Sequence, residues 1–400
     1  MNILIYYEQF SLGGVDKHLY ELVSNWPNKY DQITIVTNKG NPGFKKIKKN
    51  FSKFSIKIIY FNSWSYSLIS NFFSKKKLSQ LNYITSFLQP IFLVITVLKF
   101  IFLLKNLNKD TIILSSNGSY PGSWANVAII FAAKILKIKK RIMLVHHEAL
   151  APRRIMKYYY NSIDKLLSNS LTNLICVSKA TLNTIKKRRN LKFTNFQTNI
   201  IYNDFKIKSD SLKIKLFSKI KKKYILFGIV GRVELYKGHE DVIRSLAHVD
   251  ISLRKRMKLL IVGSYDLKTI NYLKNLAIKL KVKNNITFTG YISGKSENII
   301  KNLDIVIMAT RDFEGFGYTA LEAIKLGKPL ITTDVGAIRE FVNPDFVELI
   351  KPQKIKKLAL AIKKIVKDLK FYKKKAQFYK KKFPKNFMMS KLFRQTFSTN

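Results

Sequence analysis

Short apolar runs alternate with amphipathic stretches from the start of the chain. Asn2–Tyr7, Gln32–Thr37 and Ser55–Phe61 are compact runs of strand-forming residues bounded by polar positions, and Asp16–Asn25 reads as a helix opened by the glycine turn Gly13-Gly14. The rhythm continues through an apolar helix within Tyr83–Leu104, a strand at Thr111–Ser115, a helix at Ser123–Leu136 and a strand at Arg141–His146. Asn173–Val177 is a strand that hands over to a helix at Ser178, and Asn199–Tyr202 is a further short strand. Strands that alternate with helices predict a parallel sheet wound with helices.

Polarity and charge rise between Asp204 and Lys223, and the same rhythm then restarts. Tyr224–Val230, Lys258–Val262, Ile286–Thr289, Ile305–Met308 and Pro329–Thr332 are strands. Glu240–Val249, Leu267–Lys279, Ser296–Lys301 and Thr319–Leu326 are helices, and a long helical region follows the Gly336 turn. The pattern predicts an N-terminal Rossmann-like domain over 1–205, a basic linker over 206–223, and a C-terminal Rossmann-like domain over 224–380. Residues 381–400 are expected to form a tail that crosses back to the first domain. In open α/β sheets, ligands bind at the carboxyl ends of the strands.

A length of 400 residues fits two domains with substantial cores, and an apolar fraction of 47% is that of a globular protein. Cys176 is the only cysteine, which excludes an intramolecular disulfide framework or a cysteine-based zinc cluster and fits a reducing compartment. The five histidines show no metalloprotease-like spacing, and no metal site is legible. The formal net charge of +49 suits anionic partners, although the abundance of Lys, Asn and Ile is also what AT-rich codons produce. The basic runs are scattered, without zinc-finger spacing or an aromatic RNA-binding strand, so no nucleic-acid partner is expected. The start of the chain reads as a first strand and not as a signal peptide. Tyr83–Leu104 reaches spanning length only by including Gln89, Pro90 and Lys99, so a buried or partly membrane-facing helix is expected.

The most informative stretch runs from Asp312 to Glu322, where Glu314 and Glu322 flank the Gly315-Phe316-Gly317 loop in a chain with only ten glutamates. Glycines let the backbone approach a ligand closely, and a helix start beyond them offers free N–H groups to an anion. Such a layout suits a nucleotide sugar: phosphates at the helix N-terminus, carboxylates on either side to accept hydrogen bonds from hydroxyls. Thr319-Ala320-Leu321-Glu322 also matches a capping box, which would satisfy helix donors with no ligand at all. Upstream, Gly231-Arg232 at a strand end and Lys237-Gly238 on the same loop converge two cations that can neutralise a diphosphate as its bond to a sugar breaks. No Asp-x-Asp pair exists to hold a divalent cation on that diphosphate.

These residues, with Gly13-Gly14, His146-His147-Glu148 after a strand, Cys176-Val177-Ser178-Lys179-Ala180 and Ile201-Tyr202-Asn203-Asp204, resemble the family 4 glycosyltransferases over nearly the whole chain. Glu314 and Glu322 match that family's Glu-x7-Glu pattern. The resemblance implies the α/β GT-B fold, two Rossmann-like doubly wound parallel-sheet domains facing across a cleft, and a retaining, nucleotide-sugar-dependent hexosyltransferase-type enzyme. It implies that Arg232 and Lys237 hold the donor diphosphate, helped by backbone N–H groups around Gly315, Phe316 and Gly317. Glu314 would contact the donor sugar and Glu322 the ribose hydroxyls, while Gly13 and Gly14 would let the first-domain loop approach the donor phosphates or the acceptor. One histidine after the Arg141–Val145 strand is expected near the reacting sugar. His147 is favoured because Glu148 follows it, with His146 the alternative.

The expected activity is metal-independent and cofactor-free transfer from a nucleotide-diphosphate sugar to a growing cell-surface polysaccharide or lipopolysaccharide glycan, free or lipid-linked. The basic charge and the aromatic first domain (Phe72, Phe73, Phe87, Phe92, Phe100, Phe102) fit a cytoplasmic protein lying peripherally on the anionic inner face of the plasma membrane. The alternatives are a soluble transferase acting on a small sugar or storage polymer, and a non-catalytic basic binding protein on the same scaffold.

Overall fold

The computed structural model describes all residues except 12, 27, 29, 52–54, 76–84, 206, 208–213, 293–295 and 385–400. It divides into two compact units, Met1–Asp204 and a second that begins at Phe205.

In the first unit the strands are β1 (Asn2–Tyr7), β2 (Gln32–Thr37), β3 (Ile56–Tyr60), β4 (Ile112–Asn117), β5 (Lys140–Val145), β6 (Asn173–Cys176) and β7 (Gln197–Ile200). Its helices are α1 (Gly14–Ser24), α2 (Pro42–Ile47), α3 (Tyr66–Lys75), α4 (Gln89–Leu104), α5 (Trp124–Ile135), α6 (Lys157–Ser168) and α7 (Lys179–Arg188). The sheet order is β3-β2-β1-β4-β5-β6-β7 with every pairing parallel, and Ile3 stands level with both Ile33 and Ile112. Strand order therefore reverses between β1 and β4, which opens a crevice at their carboxyl ends. The core on one face joins Leu4, Tyr6, Ile113 and Met143 to Ala125, Ala128 and Ala132 of α5. These small residues suit the close packing of α4 on α5, where the Phe100 ring meets Tyr6 edge-on at 4.9 Å.

In the second unit the strands are β8 (Ile225–Val230), β9 (Met257–Val262), β10 (Ile286–Gly290), β11 (Ile305–Met308), β12 (Leu330–Thr333) and β13 (Glu348–Ile350). The helices are α8 (Lys215–Lys221), α9 (His239–Ala247), α10 (Ile251–Arg254), α11 (Leu267–Lys279), α12 (Ser296–Lys301), α13 (Tyr318–Lys325), α14 (Ile355–Lys367) and α15 (Leu369–Lys382). All pairings are again parallel, in the order β10-β9-β8-β11-β12-β13, so the reversal falls between β8 and β11. Phe227, Leu259, Ile305 and Ile331 from the strands and Val242, Leu273 and Ile362 from the helices form its core.

Several expectations shift. The strand expected at Asn199–Tyr202 lies at Gln197–Ile200, and helix α6, with its polar and aromatic composition, was not anticipated. The stretch expected as a linker holds helix α8, whose Phe217 is fully buried in the second unit. The last helical region breaks at Asp368, whose carboxylate accepts from the Phe371 N–H and caps α15. That helix runs to Lys382, and the expected tail beyond residue 384 lies outside the described residues. Of the apolar segment, residues 83 and 84 also lie outside them, and Ser86–Leu104 is helical.

Candidate active site

In the second unit the carboxyl ends of β8 and β11 flank the crevice where the strand order reverses. The loop after β8 carries both predicted cations. Its tight return is built on Gly238, which has φ 75°; a Cβ there would run into the Ala309 carbonyl that follows β11. The Lys237 ammonium meets the Glu314 carboxylate at 2.8 Å, and Thr310 Oγ1 donates to the same oxygen at 2.9 Å. Burial alone would lower the Lys237 pKa, but the Glu314 charge outweighs it, and the ammonium is held above its ordinary value. Arg232 lies on the same loop, paired with Glu234 at 2.6 Å and donating to the Tyr236 hydroxyl at 3.4 Å.

Three contacts hold the loop that bears Glu314. Arg311 forks onto Asp241 at 2.5 and 2.8 Å, reaches Glu240 at 3.1 Å, and so ties the loop to α9. The Glu314 carbonyl accepts from the Ala337 N–H at 2.9 Å, with Gly336 packed so closely beneath it that no Cβ fits. The Phe316 ring is buried and stacks on Phe341 at 5.0 Å, so it anchors the loop and leaves only backbone to face a ligand. Gly317, with φ 95°, turns the chain into α13.

Gly317 is the N-cap of α13, with no side-chain cap. The capping-box reading of Thr319 and Glu322 therefore fails: Thr319 lies inside the first turn and donates to the Val230 carbonyl at 3.1 Å. Glu322 is 1% exposed and accepts from Ser296 Oγ at 2.6 Å. The positive end of the α13 dipole lies beside it, where negative charge is favoured.

In the first unit Gly13 is the N-cap of α1, and its N–H donates to Asp16 Oδ2 at 2.6 Å. A Cβ on Gly13 would meet nothing within 4 Å, so packing within the chain does not demand glycine there. Asp16 also accepts from the Tyr7 hydroxyl, which locks the start of α1 to β1. The histidine doublet separates clearly. His146 is buried, pairs with Ser116 Oγ at 3.1 Å, and packs edge-on against His18 of α1 at 4.4 Å. Burial, reinforced by His18, pushes its pKa well below the ordinary value. His147 is half-buried, and Glu148, whose presence favoured it, pairs with Arg188 of α7 at 2.6 Å. His146, His18 and Ser116 thus gather at the carboxyl ends of β1, β4 and β5, while the acid beside His147 serves to hold a helix.

Two further features, one in each unit, were not anticipated. Glu8, at the end of β1, is buried and accepts from the hydroxyls of Tyr6 (3.1 Å), Ser63 (3.0 Å), Ser65 (3.3 Å) and Ser123 (2.5 Å). Burial raises its pKa, and the hydroxyls partly offset that. His239 is buried against the Glu234 carbonyl at 3.2 Å, and its pKa is lowered by burial to about 4. Among the motif residues, Cys176 is core, and Ser178 caps α7 by accepting from the Thr181 N–H at 3.0 Å. Among the described residues no three His, Cys, Asp or Glu side chains cluster to hold a metal ion.

Residues 210–382 match the family model described as glycosyl transferases group 1. An uncharacterized glycosyltransferase of Methanocaldococcus jannaschii is 31% identical over 121 residues, a match that spans 30% of this chain and 30% of that relative. Among solved structures, Anabaena HepE in complex with UDP and glucose superposes with a TM-score of 0.74 at 16% identity, covering 99% of both chains. WaaG, a glycosyltransferase involved in lipopolysaccharide biosynthesis, gives 0.65 at 15% identity over 100% of both chains. Two doubly wound parallel sheets and these likenesses make this a chain of the GT-B fold, with residues 210–382 similar to the glycosyl transferases group 1 family.

Proposed function

We propose that the protein is a retaining, metal-independent glycosyltransferase that moves a sugar from a nucleotide-diphosphate donor to a growing cell-surface polysaccharide or lipopolysaccharide glycan. The observation that carries the reading is the contact of Lys237 with Glu314 at 2.8 Å, with Arg232 on the same loop and the N-terminus of α13 beyond the glutamate. In the reaction the bond between the sugar's anomeric carbon and the diphosphate oxygen breaks, and negative charge grows on that oxygen. Arg232, Lys237 and the backbone N–H groups around Gly315–Gly317 oppose that charge, the work a divalent cation does elsewhere. Glu314 accepts from sugar hydroxyls and fixes the Lys237 ammonium, Glu322 accepts from ribose hydroxyls, and one histidine of the doublet, His147 or alternatively His146, serves the reacting sugar. Support for the donor comes from HepE, whose structure contains UDP and glucose, and for the acceptor class from WaaG. Retention is carried by the family resemblance. The site of action is read as the cytoplasmic face of the plasma membrane, in keeping with a single, buried cysteine.

The test is single-turnover transfer from UDP-sugars and other nucleotide sugars with Arg232→Ala and Lys237→Ala. Each should lower the chemical step by roughly 10²–10³ with the fold intact, and the native enzyme should keep its turnover in excess chelator. Full activity in the folded double variant refutes the assignment of the cations. Activity lost to chelator and restored by manganese refutes the metal-independent design.

A further inference from the structure

Helix α4, with the short turn Ser86–Leu88 before it, forms a 19-residue segment long and apolar enough by composition to cross a membrane. Its inner face is core of the first unit: Gln89, Leu93, Thr96, Phe100 and Leu104 are buried, and the Phe100 ring lies 5.0 Å from Phe61 as well as against Tyr6. A helix committed in this way to a water-soluble sheet cannot also span a bilayer. The outer face is the anomaly. Phe87, Ile91, Val94, Leu98 and Phe102 recur at intervals of four, three, four and four residues and are each more than half exposed, up to 73% at Phe102. No polar side chain interrupts them; a surface helix ordinarily presents charges on that face.

The surroundings indicate what covers the stripe. Lys105 lies over the Phe102 ring at 4.4 Å, and Lys99 lies over Trp64 at 4.2 Å, with alkyl stems along apolar surface as at a polar–apolar boundary. The Tyr160 hydroxyl donates to Gln89 at 3.2 Å and brings α6 beside the start of α4. The segment leading into α6 exposes Ile155 and Tyr158 together with the basic residues Arg153, Arg154 and Lys157. On the other flank, Phe72 of α3 is exposed. A second copy of this chain would bring its own +49 charge to the contact, whereas an anionic bilayer offers opposite charge and an apolar layer together.

We propose that the outer face of α4, with Phe87 ahead of it and the basic start of α6 beside it, is a docking surface for an anionic lipid bilayer. The helix lies flat, about 22 Å of stripe in contact, with its outward side chains among the upper acyl segments and the inner face still packed on the sheet. The surface belongs to the first unit alone, and binding of lipid to it does not require sugar-transfer activity.

Flotation of the full chain with phosphatidylcholine vesicles, with and without phosphatidylglycerol, tests it. The native chain should float with the phosphatidylglycerol vesicles at low salt and be largely released at high salt. Ile91→Ser/Leu98→Ser/Phe102→Ser should lower partitioning on the order of 100-fold, and Arg153→Gln/Arg154→Gln/Lys157→Gln by a similar factor at low salt. A lightly altered chain guards against misfolding: Cys176 is buried, so a dye on Leu98→Cys reports from that position alone, and its emission should shift to the blue on phosphatidylglycerol vesicles. Absence of native binding, flotation indifferent to the serine substitutions, an unshifted dye, release by detergent only, or a stripe-dependent dimer without lipid would each overturn the proposal.

Discussion

Replacing Gly336 by alanine separates the backbone position of Glu314 from every other property of the site. Gly336 sits at φ 55°, and a Cβ there would lie well inside contact distance of the Glu314 carbonyl oxygen and 2.7 Å from its nitrogen. Gly290, in the same unit, has φ 71° and would meet nothing closer than the Tyr265 ring at 3.9 Å. Both substitutions incur the cost of a left-handed alanine, about 1–2 kcal/mol. Only Gly336→Ala must also push the Glu314 backbone back by roughly 1 Å and break the Ala337 N–H bond to its carbonyl, worth about 1 kcal/mol. Denaturant-dependent hydrogen exchange in the second unit should therefore show Gly336→Ala less stable than Gly290→Ala by about 1–2 kcal/mol. A displacement of that size at a reacting centre costs about 100-fold in single-turnover rate, while Gly290→Ala should stay close to native. Equal stability and equal rate in the two variants would refute the view that Gly336 sets the position of Glu314.

Glu322→Gln keeps an acceptor for Ser296 Oγ, so thermal stability should barely move, while donor affinity falls on the order of 10-fold through loss of charge-assisted bonds to hydroxyls; a loss of stability with unchanged affinity would point to a structural role. His18 is buried, and its pKa is lowered to about 3, so the unfolded chain, with a histidine near 6.5, takes up the proton first as pH falls. Its contribution is present above about pH 6.5 and is lost below it at up to about 1.4 kcal/mol per pH unit. Thermal melts between about pH 7.5 and pH 5 should therefore flatten in His18→Phe, and an unchanged slope would show that His18 is not held neutral.

Period and breaker residues made most of the sheet legible, because a buried parallel strand is a continuous apolar run and a packed helix shows its spacing. The parts that escaped have local causes. Strand β13 is three residues long, helix α6 begins Lys157-Tyr158-Tyr159-Tyr160, and the strand end near Asn199 carries no breaker to fix its register. At the site, residue types were readable but partners were not. Arg311 and Asp241 are 70 positions apart, and their pairing exists only because β11 returns beside β8. Thr319 mimicked an N-cap until Gly317 took that place with a positive φ, a choice that sequence spacing does not encode. The preference for His147 rested on the acid after it, and that acid turned out to serve Arg188.

The three fastenings of the Glu314 loop also bear on how quickly a ligand can be captured. Ordering a free backbone costs about 1–2 kcal/mol per residue, so a segment as long as Thr310–Gly317 would oppose binding by on the order of 10 kcal/mol if it had to settle around its ligand. Here the Arg311 fork, the Ala337 N–H bond and the Phe316 stack on Phe341 bring that ordering into the folding of the second unit. A ligand arriving at this loop meets a finished surface. Its association then follows a single concentration-dependent step set by diffusion and by the field of the neighbouring cations, with no slow rearrangement of this segment afterwards.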